Sequence, residues 1–475
     1  MAGTLDSYPR FRQLVARYGQ EHTFRFWDQL PDAERECLLG ELALLDFEEV
    51  SRLVEQHIKV KGPEPSLPHL EPAPYIRLPQ TGSEFAARGE ARSRGAEAIG
   101  QGQVAAFLVA GGHGTRLGFD GPKGCFPIGP ISRKSLFQLF AEKILAARRR
   151  YGAAIPWYIM TSRDNDEVTR KFFKEHEHFG LPPEDVFFFQ QGLMPAVDQN
   201  GRVLMDSSSS LALAPDGHGG AIRALKRSGA LDDMARRGVK YISHFQVDNV
   251  LVLPVDPEFV GYHVMHGSQM SSRMVRKRAA DERVGVFCLV DGKLRVIEYS
   301  DLPREQAEKR RPNGDLLFSA GNIAVHIYDA QFVEQLNRQG YGLPFHRAWK
   351  KVPFVNELSH RIRPRQPNAN KFEMFIFDAL PAARKTLVLE AAREEIFSAV
   401  KNASGEDSGE SAQQDLMRQA AHWIREAGLQ VDADETGLPK HRPEISPLFA
   451  LDQEMFAERM AGSNLKSISR DTYFE

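Results

Sequence analysis

Residues Leu108–Gly124 read LVAGGHGTRLGFDGPKG, and an apolar run, Val104–Val109, leads into them. The run is short, uninterrupted and rich in aliphatic side chains, which predicts a buried strand. It empties into a loop holding Gly111, Gly112, Gly114 and Gly118, with Arg116 and Lys123 among the glycines. Glycine lets backbone N–H groups approach an anion closely, because no Cβ blocks the way. Two fixed cations then neutralise what the backbone cradles. A strand that ends in such a loop predicts a polyphosphate site at the carboxyl edge of an open α/β sheet, where such sheets bind ligands.

The pattern around this stretch supports that fold class. From Val104 onward, apolar runs at 104–109, 155–160, 186–190 and 241–252 alternate with helical periodicity at 135–150, 164–177 and 219–237. Strand–helix alternation predicts a mostly parallel sheet wrapped by helices. A different texture follows: Val284–Val290, then Asp291-Gly292, then Leu294–Tyr299, and a further strand over Leu316–Tyr328. Asp-Gly between two apolar runs is a hairpin signal, so an antiparallel addition to the parallel sheet is expected. Residues 10–60 carry helical periodicity with a break at Pro31-Asp32. Residues 62–83, with prolines from Pro63 to Pro79, read as an extended connector. The polar run 403–412 reads as a mobile loop.

Composition excludes several classes. A chain of 475 residues is long enough for two or three domains. Its 61 basic and 63 acidic side chains nearly cancel, so no global field favours nucleic acid or anionic lipid. The three cysteines, Cys37, Cys125 and Cys288, lie far apart with no metal-type spacing. No stretch is apolar enough to span a bilayer, and the first residues lack an apolar core of a leader. The expectation is a soluble, cytoplasmic protein with neither membrane nor nucleic-acid partner.

Several cofactor patterns can be tested against the loop. Gly112, Gly114 and Gly118 make GxGxxxG, one residue longer than the dinucleotide fingerprint. Some 20 residues on, where a ribose-binding acid belongs, stands Ser132-Arg133-Lys134-Ser135. A Walker A loop fails for want of Gly-Lys-Ser/Thr. Other candidates sit at further strand ends. Asp248, in Val247-Asp248-Asn249, is placed to hold Mg²⁺, which takes a few carboxylates together with phosphate oxygens; an Asp-Asn turn is the plainer alternative. Gln190-Gln191-Gly192 ends a strand with amide side chains that both donate and accept. In Leu213–Leu225, glycines precede a helix, whose first amides suit an anion. On residue type alone Phe375 and Phe377 fit a core better than a ligand wall, and Lys401 in AVKNAS fits plain solvation better than a functional role.

Taken in order, these pieces resemble the eukaryotic-type UDP-N-acetylhexosamine pyrophosphorylases of the UDP-sugar pyrophosphorylase family. The resemblance runs through GQEHTFRFWDQL (19–30), AGGHGTRLG (110–118), PKG (122–124), SRKSLFQ (132–138), FFFQQGLMPA (187–196) and APDGHGG (214–220). It continues through VDNVLV (247–252), VIEYSDL (296–302), SAGNIAVH (319–326), KFEMFIFD (371–378), VKNAS (400–404) and EISPL (444–448). It implies a Rossmann-like, GT-A-like nucleotidyltransferase with a mixed, mostly parallel sheet: a helical segment and connector over 1–83, a catalytic domain over 84–395 and a small C-terminal region over 396–475. It also implies a reaction. UTP and N-acetylglucosamine 1-phosphate give UDP-N-acetylglucosamine and pyrophosphate, with Mg²⁺ as cofactor. By the same resemblance Val109, Ala110, Gly111 and Gly112 hold the nucleotide, Gln191 and Gly217 read uracil, and Asp248 ligates the metal. Glu298, Asn322, Phe375 and Phe377 bind the sugar, and Arg116, Lys123 and Lys401 meet phosphates. The chain departs from the family pattern at His113, His218, Ala369-Asn370 and Val325. The sugar-side departures keep glucose 1-phosphate and galactose 1-phosphate open as substrates. A nucleotide-sugar-binding regulator without turnover is the reading from a different class, disfavoured by the presence of Arg116, Lys123 and Asp248.

Overall fold

The computed structural model describes residues 5–60, 69–338 and 342–475. The chain forms two units: one of residues 69–190, 224–340 and 379–475, the other of residues 1–68, 191–223 and 341–378.

The first of these units is built on a ten-stranded sheet. In chain order its main elements are β1 (Leu70–Pro72), α1 (Gly82–Gly100), β2 (Val104–Val109), α2 (Leu136–Tyr151), β3 (Trp157–Thr161), α3 (Asp166–Glu175) and β4 (Val186–Gln190). Then come β5 (Tyr241–Gln246), α4 (Pro257–His266), β6 (Met270–Arg276), β7 (Val286–Val290), β8 (Lys293–Ile297), β9 (Ala320–Asp329), β10 (Thr386–Glu390) and α5 (Gly409–Glu426). Strands β5, β2, β3 and β4 run parallel side by side, as do β6 and β10. Strand β9 joins the two blocks by pairing antiparallel with both β5 and β6. The sheet is therefore mixed. Its parallel block is covered on both faces, which is why the β2 and β3 sequences are continuous apolar runs without alternation.

Local chemistry accounts for the boundaries. In the β7–β8 hairpin, Asp291 (φ 49°) and Gly292 (φ 74°) both adopt left-handed backbone, the conformation a two-residue hairpin turn requires. Thr81 and Glu84 form a reciprocal capping box that starts α1. The apolar run 241–252 is only half strand. It leaves the sheet after Gln246, because Lys143 Nζ donates to the carbonyls of Val250 (2.7 Å) and Val252 (2.9 Å) and holds them out of any ladder. The helical run 219–237 is two helices, broken at Gly229 (φ 79°). In the polar run 403–412 the last residues are helical, since Ser408 accepts from Ser411 N and opens the 18-residue α5. The start of the proline-rich connector, 62–68, lies outside the described residues. Its remainder is pinned, with β1 paired to β7 and Ile76 bridged to Leu389.

The core lies between the sheet and helices α1, α2 and α4, with Leu108, Phe140, Trp157 and Phe245 fully or almost fully buried. Helices α1 and α4 meet at glycines. A Cβ on Gly95 would lie 1.7 Å from the Pro257 carbonyl oxygen, and one on Gly261 would lie 1.6 Å from that of Ala91. A smaller apolar cluster, including Trp423, Ile424, Phe456 and Phe474, organises the C-terminal residues around α5.

The other unit carries the N-terminal helices Tyr8–Arg17, Asp32–Leu44 and Phe47–Val54, the second starting at the expected Pro31-Asp32 break. Its residues are tied together by buried polar contacts. Arg223 forms a two-pronged pair with Glu49 (3.1 and 2.9 Å), and Glu41 accepts from the backbone of Leu211. Short hairpins complete it, among them Phe345–Lys350 paired with Ala369–Met374. Among the described residues no helix is long and apolar enough to cross a membrane.

Gly261→Ala tests the helix crossing. The methyl group has backbone rather than a flexible side chain in its way, so the change is expected to destabilise the fold by about 1–3 kcal/mol. A denaturant midpoint unchanged from wild type would show that the crossing adjusts freely.

Candidate nucleotide and phosphate site

Strands β2 and β5 are parallel neighbours, and the ladder continues past their ends: Val247 N donates to Val109 O at 3.1 Å. The glycine loop therefore leaves β2 directly beside Asp248. Ala110 N is bound to Met160 O (2.8 Å), but the amides of Gly111, Gly112 and His113 have no acceptor among the described residues. The loop is braced from behind by Asn165, which is fully buried. Its Nδ2 donates to Ala110 O (3.0 Å) and its Oδ1 accepts from Ser162 N (2.8 Å). The carbonyls of Ala110 and Gly112 are thus engaged by the protein while three successive amides stay free, as an anion cradle requires.

The loop returns on itself through Lys123 N, which donates to Gly112 O at 3.1 Å. Gly124 is dictated by packing, since a Cβ there would fall 2.2 Å from the Phe137 ring. Gly112 is different: the nearest atom to its Cβ position is Lys123 Cε at 3.9 Å. Lys123 Nζ lies 4.0 Å from Asp248 Oδ2, with both side chains mostly buried. Burial pulls the Lys123 ammonium below its ordinary range; Asp248 opposes that shift, and Arg116 and Lys401 reinforce it. Arg116, Asp248 and Lys401, drawn from three separate stretches of sequence, thus all act electrostatically on Lys123.

Lys401 reaches this place through Asn249. That buried side chain donates to Ile396 O (2.9 Å) and accepts from Ser398 N (3.1 Å), while Asp248 O accepts from Val400 N (2.8 Å). The segment before Lys401 is stitched to the end of β5. The chain then turns back, with Asp407 O accepting from Lys401 N (2.6 Å) and Asn402 N (2.9 Å), and Lys401 Nζ lies 3.9 Å from Asp407 Oδ2. In the same unit, Glu298 and Asn322 meet at Gly285. Asn322 N donates to Gly285 O (2.8 Å), and the Cβ position of Gly285 is 3.2 Å from Glu298 Oε1. Burial, then the neighbouring Asp301, raises the Glu298 carboxyl above its usual range.

The other unit holds Gln191, Gly217, Phe375 and Phe377. Gln190, across the unit boundary, is engaged with Asp166 (3.1 Å), whereas the Gln191 side chain has no hydrogen-bond partner among the described residues. The glycines of the 214–220 stretch answer to packing. A Cβ on Gly220 would sit 1.9 Å from the Asp216 carboxylate, one on Gly192 2.2 Å from it, and one on Gly217 2.4 Å from Met374 O. Gly217 (φ 85°) also requires left-handed backbone. Asp216 is a wedge that shapes both the 191–192 and 217–220 turns. Phe375 is half-buried and stacks with Phe377 (centroids 5.2 Å), which is 5 % exposed and packs beneath it.

The sequence reading missed Asn165, Asp216 and Gly285. Asn165 carried a faint signal, an Asn just before an amphipathic helix. Asp216 read as an ordinary Asp-Gly turn, and Gly285 carried none.

A mixed sheet with a glycine loop, two lysines, an arginine and a carboxylate at adjacent parallel strand ends defines a nucleotide- or sugar-phosphate-binding α/β protein. The profile of the UTP–glucose-1-phosphate uridylyltransferase family matches residues 84–461, and the chain belongs to that family. It is 40% identical over 452 residues to UDP-N-acetylhexosamine pyrophosphorylase-like protein 1 of Homo sapiens, covering 92% of this chain and 89% of that one. It is 38% identical to UDP-N-acetylglucosamine diphosphorylase 1 of Arabidopsis thaliana, covering 99% of this chain and 93% of the relative. The crystal structure of the uridine diphosphate N-acetylglucosamine pyrophosphorylase from Trypanosoma brucei in complex with inhibitor superposes with a TM-score of 0.81 at 27% identity, covering 98% of this chain and 97% of that one.

Asn249→Ala isolates the stitching of Lys401 to β5. It leaves a buried N–H and a buried carbonyl without partners, a loss of about 1–3 kcal/mol each at most. Urea unfolding should show a lowered midpoint; an unchanged one would mean the 396–400 segment is held in some other way.

Proposed function

We propose that the protein is a uridylyltransferase that joins UTP and N-acetylglucosamine 1-phosphate, or a related N-acetylhexosamine 1-phosphate, to give the UDP-sugar and pyrophosphate. The observation that carries this reading is the electrostatic convergence of Arg116, Lys401 and Asp248 on Lys123, beside a loop with unbonded amides at the ends of β2 and β5. The relatives that share the chain over almost its whole length support the sugar.

The chemistry follows from charge. A phosphate oxygen of the sugar 1-phosphate attacks the α-phosphorus of UTP. A new P–O bond forms, the bond from the α-phosphorus to the bridging oxygen breaks, and pyrophosphate leaves with that electron pair. The nucleophile is already an anion, so no general base is required. The barrier arises from bringing two polyanions together and from charge growing on the leaving group. Positioning and electrostatic stabilisation are therefore the main catalytic means. Gly111 and Gly112 hold the nucleotide through their free amides; Val109 and Ala110, expected to do the same, have their main-chain groups engaged by the sheet and Asn165 and set the position of the loop instead. Arg116 pairs with the departing phosphates, and Lys123 and Lys401 screen the reacting ones. Gln191, with an amide free to donate and accept, reads uracil beside Gly217. Glu298, Asn322, Phe375 and Phe377 contact the sugar.

The residues fit magnesium. The Asp248 carboxylate has no hydrogen-bond donor among the described residues and meets only Lys123, at 4.0 Å. No group of three or more His, Cys, Asp or Glu is placed to enclose an ion among those residues. One protein carboxylate completed by substrate phosphates is the donor set Mg²⁺ prefers. Bound on Asp248, the ion would supply positive charge to the phosphate oxygens. We place the protein in the cytoplasm, a reading supported by its free thiols at Cys37, Cys125 and Cys288.

Pyrophosphate release from UTP, assayed across N-acetylglucosamine, N-acetylgalactosamine, glucose and galactose 1-phosphates, should be fastest with an N-acetylhexosamine. Faster turnover of glucose 1-phosphate would overturn the sugar assignment. Lys123→Ala is expected to lower kcat by on the order of 10²-fold, as losing one preorganised donor does; near-normal turnover would remove Lys123 from the mechanism. Asp248→Asn should shift the Mg²⁺ titration of activity to higher concentration, and an unmoved titration would argue against ligation.

A further inference from the structure

The sheet unit contains a cavity of about 700 Å³ that has no part in the scheme above. It lies among α1, α2, α5 and the C-terminal residues 444–457. None of the residues placed in the nucleotide, phosphate or sugar site lines it. Its volume falls in the range of small-molecule sites. Leu139, Leu251, Leu253, Ile396, Leu416 and Leu451 form much of its wall.

Charged side chains line it too, and all but one are matched within the protein. Arg88 and Arg273 pair with Glu258, Arg273 also with Asp256, and Arg92 with Asp452 and Glu454. Glu444 accepts from the amides of Ile131 (2.6 Å) and Ser132 (2.7 Å), and Glu395 accepts from Gln419 (3.3 Å) and Trp423 (3.2 Å). Lys143 is the exception. Its Nζ donates to the neutral carbonyls of Val250 and Val252, and it has no ion pair among the described residues. An ammonium has three N–H donors, so one is left over. Burial alone pulls the Lys143 ammonium down to about 7, with no carboxylate near enough to oppose the shift. Apolar surface stands beside it. Leu139 is one turn earlier on the same face of α2, and Leu251 falls between the two residues whose carbonyls Lys143 binds.

We propose that this cavity is a second ligand site, which takes a hydrophobic monocarboxylate whose carboxylate pairs with Lys143 and whose apolar body lies among the leucines. Such a ligand supplies the counter-ion that the protein does not, and a charge-assisted hydrogen bond is about twice as strong as a neutral one. An amine of the same shape meets like charge, and an alcohol offers no charge at all. A dianion is disfavoured, because Glu395 and Glu444 line the same cavity. The site stands independently of the transferase reading, since the two share no residue.

The test is calorimetric titration of the full chain with phenylbutyrate, phenylbutanol and phenylbutylamine, which share one apolar body. The carboxylate should bind one to one and at least about tenfold more tightly than the alcohol or the amine. Lys143→Met should bring the carboxylate down to the affinity of the alcohol. That variant also strips two carbonyls of their donor, so Leu416→Trp, which fills the cavity and leaves Lys143 in place, is titrated beside it and should abolish binding of the carboxylate. Lys123→Ala separates this site from the phosphate loop and should leave the carboxylate's affinity unchanged. A crystal grown with ring-brominated phenylbutyrate should place the bromine within the cavity by its anomalous signal. Absence of binding, equal affinity for acid and alcohol, tighter binding of the amine, loss of binding in Lys123→Ala or a bromine found elsewhere would each overturn the proposal. So would undiminished binding in Leu416→Trp.

Discussion

The hydrogen bond from Val247 N to Val109 O is the constraint on which the proposed phosphate site depends. It extends the β2–β5 ladder one step past the last paired residues, Val109 and Gln246. Side by side in a parallel pair, two chains must reach the same edge at the same height, and here each then turns into a polar segment. One becomes the glycine loop with Lys123, the other Asp248-Asn249. A 4.0 Å approach of Lys123 to Asp248 follows from that common exit, although the two are 125 positions apart in sequence. Asn249 carries the arrangement one step further. Its buried amide binds the segment that ends at Lys401, so a third stretch is aligned by the same strand end.

Much of this was legible beforehand, because the signals are local. Uninterrupted apolar runs marked β2, β3 and β4, and Asp291-Gly292 fixed the β7–β8 turn, where both residues need positive φ. What misled the sequence reading was hydrophobicity without a backbone partner. Val250, Leu251 and Val252 are as apolar and buried as any strand, yet Lys143 takes the carbonyls of the first and last. Nothing in a window around 250 announces a lysine 107 positions away. Asn165, Asp216 and Gly285 escaped for the same reason: their roles are set by what lies opposite in space.

Glycines show the limit of motif reading most clearly. Gly112 and Gly220 both sit in glycine-rich turns, and both read as positions where a ligand approaches backbone. At Gly112 that reading matches the space around it, with no atom closer than 3.9 Å. At Gly220 the space is filled by the Asp216 carboxylate. Composition cannot separate the two cases, since the missing Cβ is needed either way. Only the occupant of the space distinguishes a cradle from a close-packed corner.

The electrostatics of the loop explain why it suits an anion better than it suits itself. Lys123 is mostly buried, with Arg116 and Lys401 within electrostatic reach, and both oppose its charge. One carboxylate, Asp248, offsets three cations, and Lys401 shares Asp407 besides. The fold holds this arrangement through main-chain bonds and Asn165 and Asn249, not through the charges. A polyanion entering the loop reverses the sign of the problem. The same burial that disfavours the Lys123 ammonium strengthens its attraction to phosphate, because interactions between charges grow as water is excluded. The imbalance persists because neutral contacts set the geometry, and under the proposed function it is the imbalance that a bound triphosphate would relieve.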